Sequence, residues 1–183
     1  MKNIATIAFL LSLGVAGSAS AATSGDTIGT GSMAISQSLT ASTCSVTFPS
    51  DVTLPSFSTA TFNDASVNAN LVDATSVGDI TFSGCSGESV NIALTSSNNV
   101  SSSGYIYPTI NGNSQSRVGY WIKVNGVGGR PNTTVSSLQN MSIDSDSYTV
   151  PVVIQTIKMS NLAYSTSTTG EYAATVTYTA TYS

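Results

Sequence analysis

The sequence predicts an all-β domain, a sandwich of short antiparallel strands. Three observations lead there. Apolar residues recur with period two in Met33–Ala41, Ile80–Phe82, Val90–Leu94, Tyr120–Val124, Val150–Ile154 and Tyr172–Tyr182, which is the spacing of a strand with two different faces. Turn signals separate these stretches: Asn111-Gly112, Asn125-Gly126 and Gly128-Gly129-Arg130-Pro131. No stretch carries the 3.6-residue period of an amphipathic helix.

Taken in order, the chain opens with a secretory signal peptide over residues 1–21. Lys2 supplies the positive start, Ile4–Ala16 the apolar run and Ala19-Ser20-Ala21 the small-x-small cleavage site. The apolar run is too short to span a membrane. Ala22–Thr30 is small and polar. Met33, Ile35, Gln37, Leu39 and Ala41 then share one strand face and lead into Cys44. Val46-Thr47-Phe48 breaks at Pro49, and Val52-Thr53-Leu54 reads as a short strand stopped by Pro55. Ser56–Val77 reads as a loop anchored by Phe57, Phe62 and Leu71. Asp79–Ser83 is a strand that delivers Cys85, and Val90–Leu94 alternates again. Ser96–Gly104 is a polar loop. Leu138, Met141 and Ile143 are weaker signals. Tyr148–Met159 is a strong strand containing Pro151, which suits an edge position or an N–H that bonds nothing. The last fourteen residues, Gly170–Ser183, place Tyr172, Ala174, Val176, Tyr178, Ala180 and Tyr182 on one face and four threonines on the other.

Composition narrows the function. The chain has no His, and loss of Lys2 leaves four cations against nine acids. That balance argues against nucleic acid or an anionic membrane as partner, since both need clustered positive charge. Without His there is no conventional Ser-His-Asp triad. Asp144 and Asp146 are the only close acidic pair and read as a solvated turn. Tyr105, Tyr107, Tyr120 and Trp121 form a candidate sugar-stacking set, although Tyr120 and Trp121 have opposite parity. Two cysteines in an exported chain read as one disulfide, Cys44–Cys85; a metal pair lacks further ligands and a redox pair lacks the Cys-x-x-Cys spacing. The two terminal alternating stretches are open to two readings. They close one sandwich, or one of them pairs with another molecule by strand addition.

Four features together resemble the fimbrial subunits, or pilins, of the bacterial chaperone–usher pathway, the type 1 and P pilus family. An alternating extension, Met33-x-Ile35-x-Gln37-x-Leu39, precedes the first Cys. A second Cys, Cys85, follows alternating Ile80 and Phe82. Val52-x-Leu54-Pro55 lies between the cysteines. Gly170 stands fourteenth from the C-terminus and Tyr182 is penultimate. Gln37 stands where many such subunits have Gly.

The resemblance implies an incomplete immunoglobulin-like β-sandwich completed by a donor strand from a neighbouring subunit. Residues 22–43 would be the donor-strand extension and 44–183 the pilin domain. Met33, Ile35, Gln37 and Leu39 would be donated. Gly170, Tyr172, Val176, Tyr178, Ala180 and Tyr182 would line the receiving groove and the edge grasped by a periplasmic chaperone. Further implied partners are other copies of the chain, other pilins and an outer-membrane usher, with a host receptor left open. The implied site is a fimbria at the bacterial surface, with no cofactor and no enzymatic activity.

Overall fold

A computed structural model describes residues 32–37, 43–163 and 169–183. The expected signal peptide, together with Leu39 and Ala41, lies outside the described residues. Residues 32–37 fall in a unit spanning positions 1–39, and everything from position 40 onward forms another. In the first unit, residues 32–37 adopt no regular secondary structure, and Met33 and Ile35 are exposed.

The second unit is built of β1 (Ser45–Thr47), α1 (Thr59–Asp64), β2 (Thr75–Ser83), β3 (Ser89–Thr95), β4 (Thr109–Ile110), β5 (Asn113–Ser114), β6 (Val118–Val124), β7 (Val127–Gly128), β8 (Met141–Ser142), β9 (Ser147–Lys158) and β10 (Thr177–Tyr182). Two sheets dominate, in the orders β1-β2-β9-β6-β7 and β10-β3-β8, and every pairing is antiparallel. Alternation makes the core. Ile80 and Phe82 of β2, Val150 and Val152 of β9, and Ile122 and Val124 of β6 are buried with Val90, Ile92 and Leu94 of β3. Fully burying each such side chain contributes about 1.5–3 kcal/mol. Leu138 and Ile143, weak signals in sequence, are also buried in this cluster.

The turns follow their residues. Asn125 and Gly126 have φ of 52° and 75° between β6 and β7, and Asn111 and Gly112 have 49° and 78° between β4 and β5. Both pairs meet the requirement for positive φ at two successive turn positions. Cys44 and Cys85 form a disulfide with Cα atoms 4.5 Å apart. It ties the entry to β1 to the exit from β2, where Val46 pairs with Phe82.

Three local expectations are resolved by the structure. Of the two readings of Pro151, the edge position fails and the unbonded N position holds: β9 lies between β2 and β6. Its carbonyl accepts from the Asn125 N–H at the β6–β7 turn. A residue's N and C=O point to the same side of a strand, so the missing N–H faces the place where the β6 ladder has ended. Second, Val52–Leu54 belongs to no strand; 48–58 has no regular secondary structure. Third, the Ser56–Val77 stretch contains α1. Its six residues are too few for a 3.6-residue apolar period, and only Phe62 in it is buried. The Ser58 hydroxyl caps it by accepting from the Thr61 N–H.

The other end of α1 is held by Lys158. This side chain is buried, and its Nζ donates to the Phe62, Asn63 and Ala65 carbonyls at 2.8, 3.4 and 2.7 Å. It also lies 4.6 Å from the Phe62 ring centroid. Carbonyls at a helix C-terminus lack intrahelical donors and carry partial negative charge, which the ammonium offsets. Phe62 thereby joins Leu71 and Val118 in a second buried cluster, against which Phe57 and Tyr172 pack. Lys158→Met keeps the stem and removes the donors. It is expected to lower the free energy of unfolding in urea by about 3 kcal/mol, because charged hydrogen bonds are lost and acceptors stay buried.

Candidate functional site: an open groove beside the last strand

β10 is the last strand of its sheet and pairs only with β3 among the described residues. Tyr178 lies opposite Leu94, Ala180 opposite Ile92 and Tyr182 opposite Val90. The Ser183 N–H donates to the Ser89 carbonyl. Along an antiparallel strand amides alternate in direction, so the odd-numbered N–H groups of β10 face β3. The amides of Tyr178, Ala180 and Tyr182 face away from it, along a free edge.

Side-chain burial distinguishes the two neighbours. Val90, Ile92 and Leu94 on β3 are 3, 1 and 3% exposed. From residue 172 to 180, every even-numbered side chain facing the same core is only half-buried. The expected alternation is therefore present, but the apolar face of β10 lacks cover on its outer side.

Next to that face lies a groove of about 880 Å³. One lip is Gly170–Ala174 with Val176 and Tyr178; the other is the unpaired run Pro49–Thr59. Val77, Ile106, Tyr120, Ile122, Ile154 and Thr156 also line it. At one end Phe48 stacks on Tyr178, with ring centroids 6.0 Å apart. At the other end Phe57 packs against Tyr172 at 6.2 Å, and the Tyr120 hydroxyl donates to the Tyr172 carbonyl at 3.4 Å.

Four of the six expected groove residues, Gly170, Tyr172, Val176 and Tyr178, line the cavity. Ala180 and Tyr182 lie beyond it. Ala180 packs on the core, and Tyr182 is 58% exposed. The expected continuous strand over 170–183 is interrupted. Only Thr177–Tyr182 pairs with β3, because β3 ends at Thr95. Upstream, Thr175 N–H donates instead to the Asn98 side chain, and Ala173 bridges to Thr109.

Sequence reading missed the second lip and the groove floor. Ile154, Tyr120 and Ile122 carry only core-like alternation, and nothing local distinguishes an uncovered floor from a closed core. The four-member aromatic set does not assemble. Tyr120 turns into the groove, while Trp121 meets Tyr105 edge-on at 5.6 Å with the Lys123 ammonium 4.9 Å from its ring. Asp144 and Asp146 are exposed, and no cluster that could hold a metal ion occurs among the described residues.

No protein-family model and no curated protein sequence matches this chain. Solved structures do. The P pilus rod subunit PapA superposes with a TM-score of 0.55 at 14% identity, covering 76% of this chain and 99% of that one. A structure of a chaperone–usher pilus, concerned with the molecular basis of rod uncoiling, superposes at 0.57 with 12% identity, covering 85% of this chain and 97% of its own. The fold is the immunoglobulin-like β-sandwich of pilins.

Tyr178 offers a spectroscopic handle on the groove. Burial pushes its phenol up to about 12 from the ordinary 10.0. Its hydroxyl has no hydrogen-bond partner among the described residues. Because the folded state holds this proton more tightly, its contribution to stability is full below pH 10 and declines as pH rises toward 12. Absorbance titration of the protein should show a late-ionising tyrosine that Tyr178→Phe removes. The same substitution should flatten the alkaline decline in unfolding free energy and cost under about 1 kcal/mol at neutral pH, since no hydrogen bond is lost.

Proposed function

We propose that this chain is a structural, non-enzymatic subunit of a bacterial surface fimbria that polymerises head to tail by donor-strand exchange. The observation that carries the reading is the contrast across one ladder. β3 buries its inward side chains, whereas β10, beside it, keeps a half-open apolar face and a free backbone edge. A strand laid along β10 would satisfy both at once, with backbone bonds to the even-numbered amides and side chains in the groove. A shared fold with pilus rod subunits supports the same reading.

The strand comes from residues 22–43 of a neighbouring copy, with Met33, Ile35, Gln37 and Leu39 facing inward. The segment from Met33 to Leu39 and the lip from Tyr172 to Tyr178 have equal residue counts, about 20 Å when extended. The groove of one copy receives the segment of the next, so the contact is heterologous and builds a filament. Before assembly the same edge needs temporary cover, since an exposed strand edge with an apolar face aggregates. A periplasmic chaperone supplies it, an outer-membrane usher passes the subunit outward, and the fibre at the cell surface supports adhesion.

Deleting residues 22–39 tests the assignment. The shortened chain should keep the circular dichroism of the full subunit and still be captured by its chaperone, yet form no fibres by electron microscopy. Normal fibres from the deletion would refute the donor role.

A further inference from the structure

The lips of the groove carry polar side chains, but its floor of Val77, Ile106, Tyr120, Ile122, Ile154 and Thr156 holds only two hydroxyls, and that of Tyr120 is used on the Tyr172 carbonyl. Thr156 lines the groove, is 3% exposed, and its hydroxyl has no hydrogen-bond partner among the described residues. Ile154 precedes it on the same face of β9, and Tyr120, whose hydroxyl is directed at the Tyr172 carbonyl, pairs with it on β6. The open groove still gives the Thr156 hydroxyl access to water; covering the groove with a wholly apolar segment would seal it off and leave it without a partner, which is costly.

The donated segment is complementary. Its inward parity reads Met33, Ile35, Gln37, Leu39, so a single polar side chain stands among three apolar ones. Gln37 carries both a carbonyl oxygen and an NH₂ group, and can therefore accept from or donate to a hydroxyl.

Resting on the assembly reading above, we propose that Gln37 of one copy seats over Thr156 of the next, and that the amide–hydroxyl pair fixes the register of the junction. A strand slipped by two residues would keep its apolar face inward but place the amide against Ile154 or Phe57 and leave Thr156 sealed. The pair thus selects one register among those that the apolar pattern alone permits.

The test uses fibres assembled from the full mature chain, with their lifetime in hot detergent as readout and the urea midpoint of the free subunit as a control on folding. Thr156→Val should shorten the lifetime about tenfold where Gln37 is present, because a buried amide loses its partner. It should have no such effect in the Q37L background. An equal effect in both backgrounds, or none in either, overturns the proposal. A cysteine pair keeps the question answerable if Thr156→Val unfolds the subunit. Q37C combined with T156C should give a covalent ladder of subunits, whereas a ladder from Q37C with I154C in place of T156C overturns the register. Failure of the unsubstituted chain to assemble is seen before any variant is made, and overturns the assembly reading together with this one.

Discussion

The structure depends on an interaction that β10 lacks within its own chain. A strand in a sandwich has two edges and two faces; its inward face needs cover, and an edge without a partner strand must turn its backbone groups to water. β3 meets these conditions, with β10 on one side and β8 on the other. β10 meets half of them. Its odd-numbered amides are directed at β3, while its even-numbered amides and much of its apolar face border the groove. The cavity and the half-buried tyrosines are both consequences of that one shortfall.

The surrounding fold keeps the groove open instead of letting it collapse. The disulfide fixes where β1 begins. α1, capped by Ser58 and clamped by Lys158, fixes where the opposite lip ends. Between those two anchors, Pro49–Thr59 has no ladder to draw it inward. Phe48 on Tyr178 and Phe57 on Tyr172 brace the two ends of the gap. A buried lysine whose hydrogen bonds go to three carbonyls is a costly way to pin a helix of six residues. Its position beside the groove gives that expense a structural purpose, since α1 continues directly from the lip.

Much of this was legible in the sequence. Strict alternation located β3, β6, β9 and the face of the last strand, and Asn-Gly pairs located two tight turns, because both signals are local. The cysteine pair was legible from compartment and count. What escaped was decided at a distance. Val52-Thr53-Leu54 has strand-like composition but no partner, and pairing is not a property of three residues. α1 is too short to show a period and is held by Lys158, 94 positions after Asp64. Pro151 left an edge strand and an unbonded N position both open, and only the end of the neighbouring ladder beside it decides for the second. Thr156 reads as one more strand threonine until the floor of the groove surrounds it.

Amide hydrogen exchange along Thr177–Tyr182, measured in the free subunit and in assembled fibres, tests the central claim most directly. The Thr177, Thr179 and Thr181 amides should be protected in both states. Those of Tyr178, Ala180 and Tyr182 should exchange rapidly in the subunit and become protected in the fibre. Slow exchange at the even-numbered amides of the free subunit, or rapid exchange that persists in the fibre, would contradict a free edge that the next copy fills.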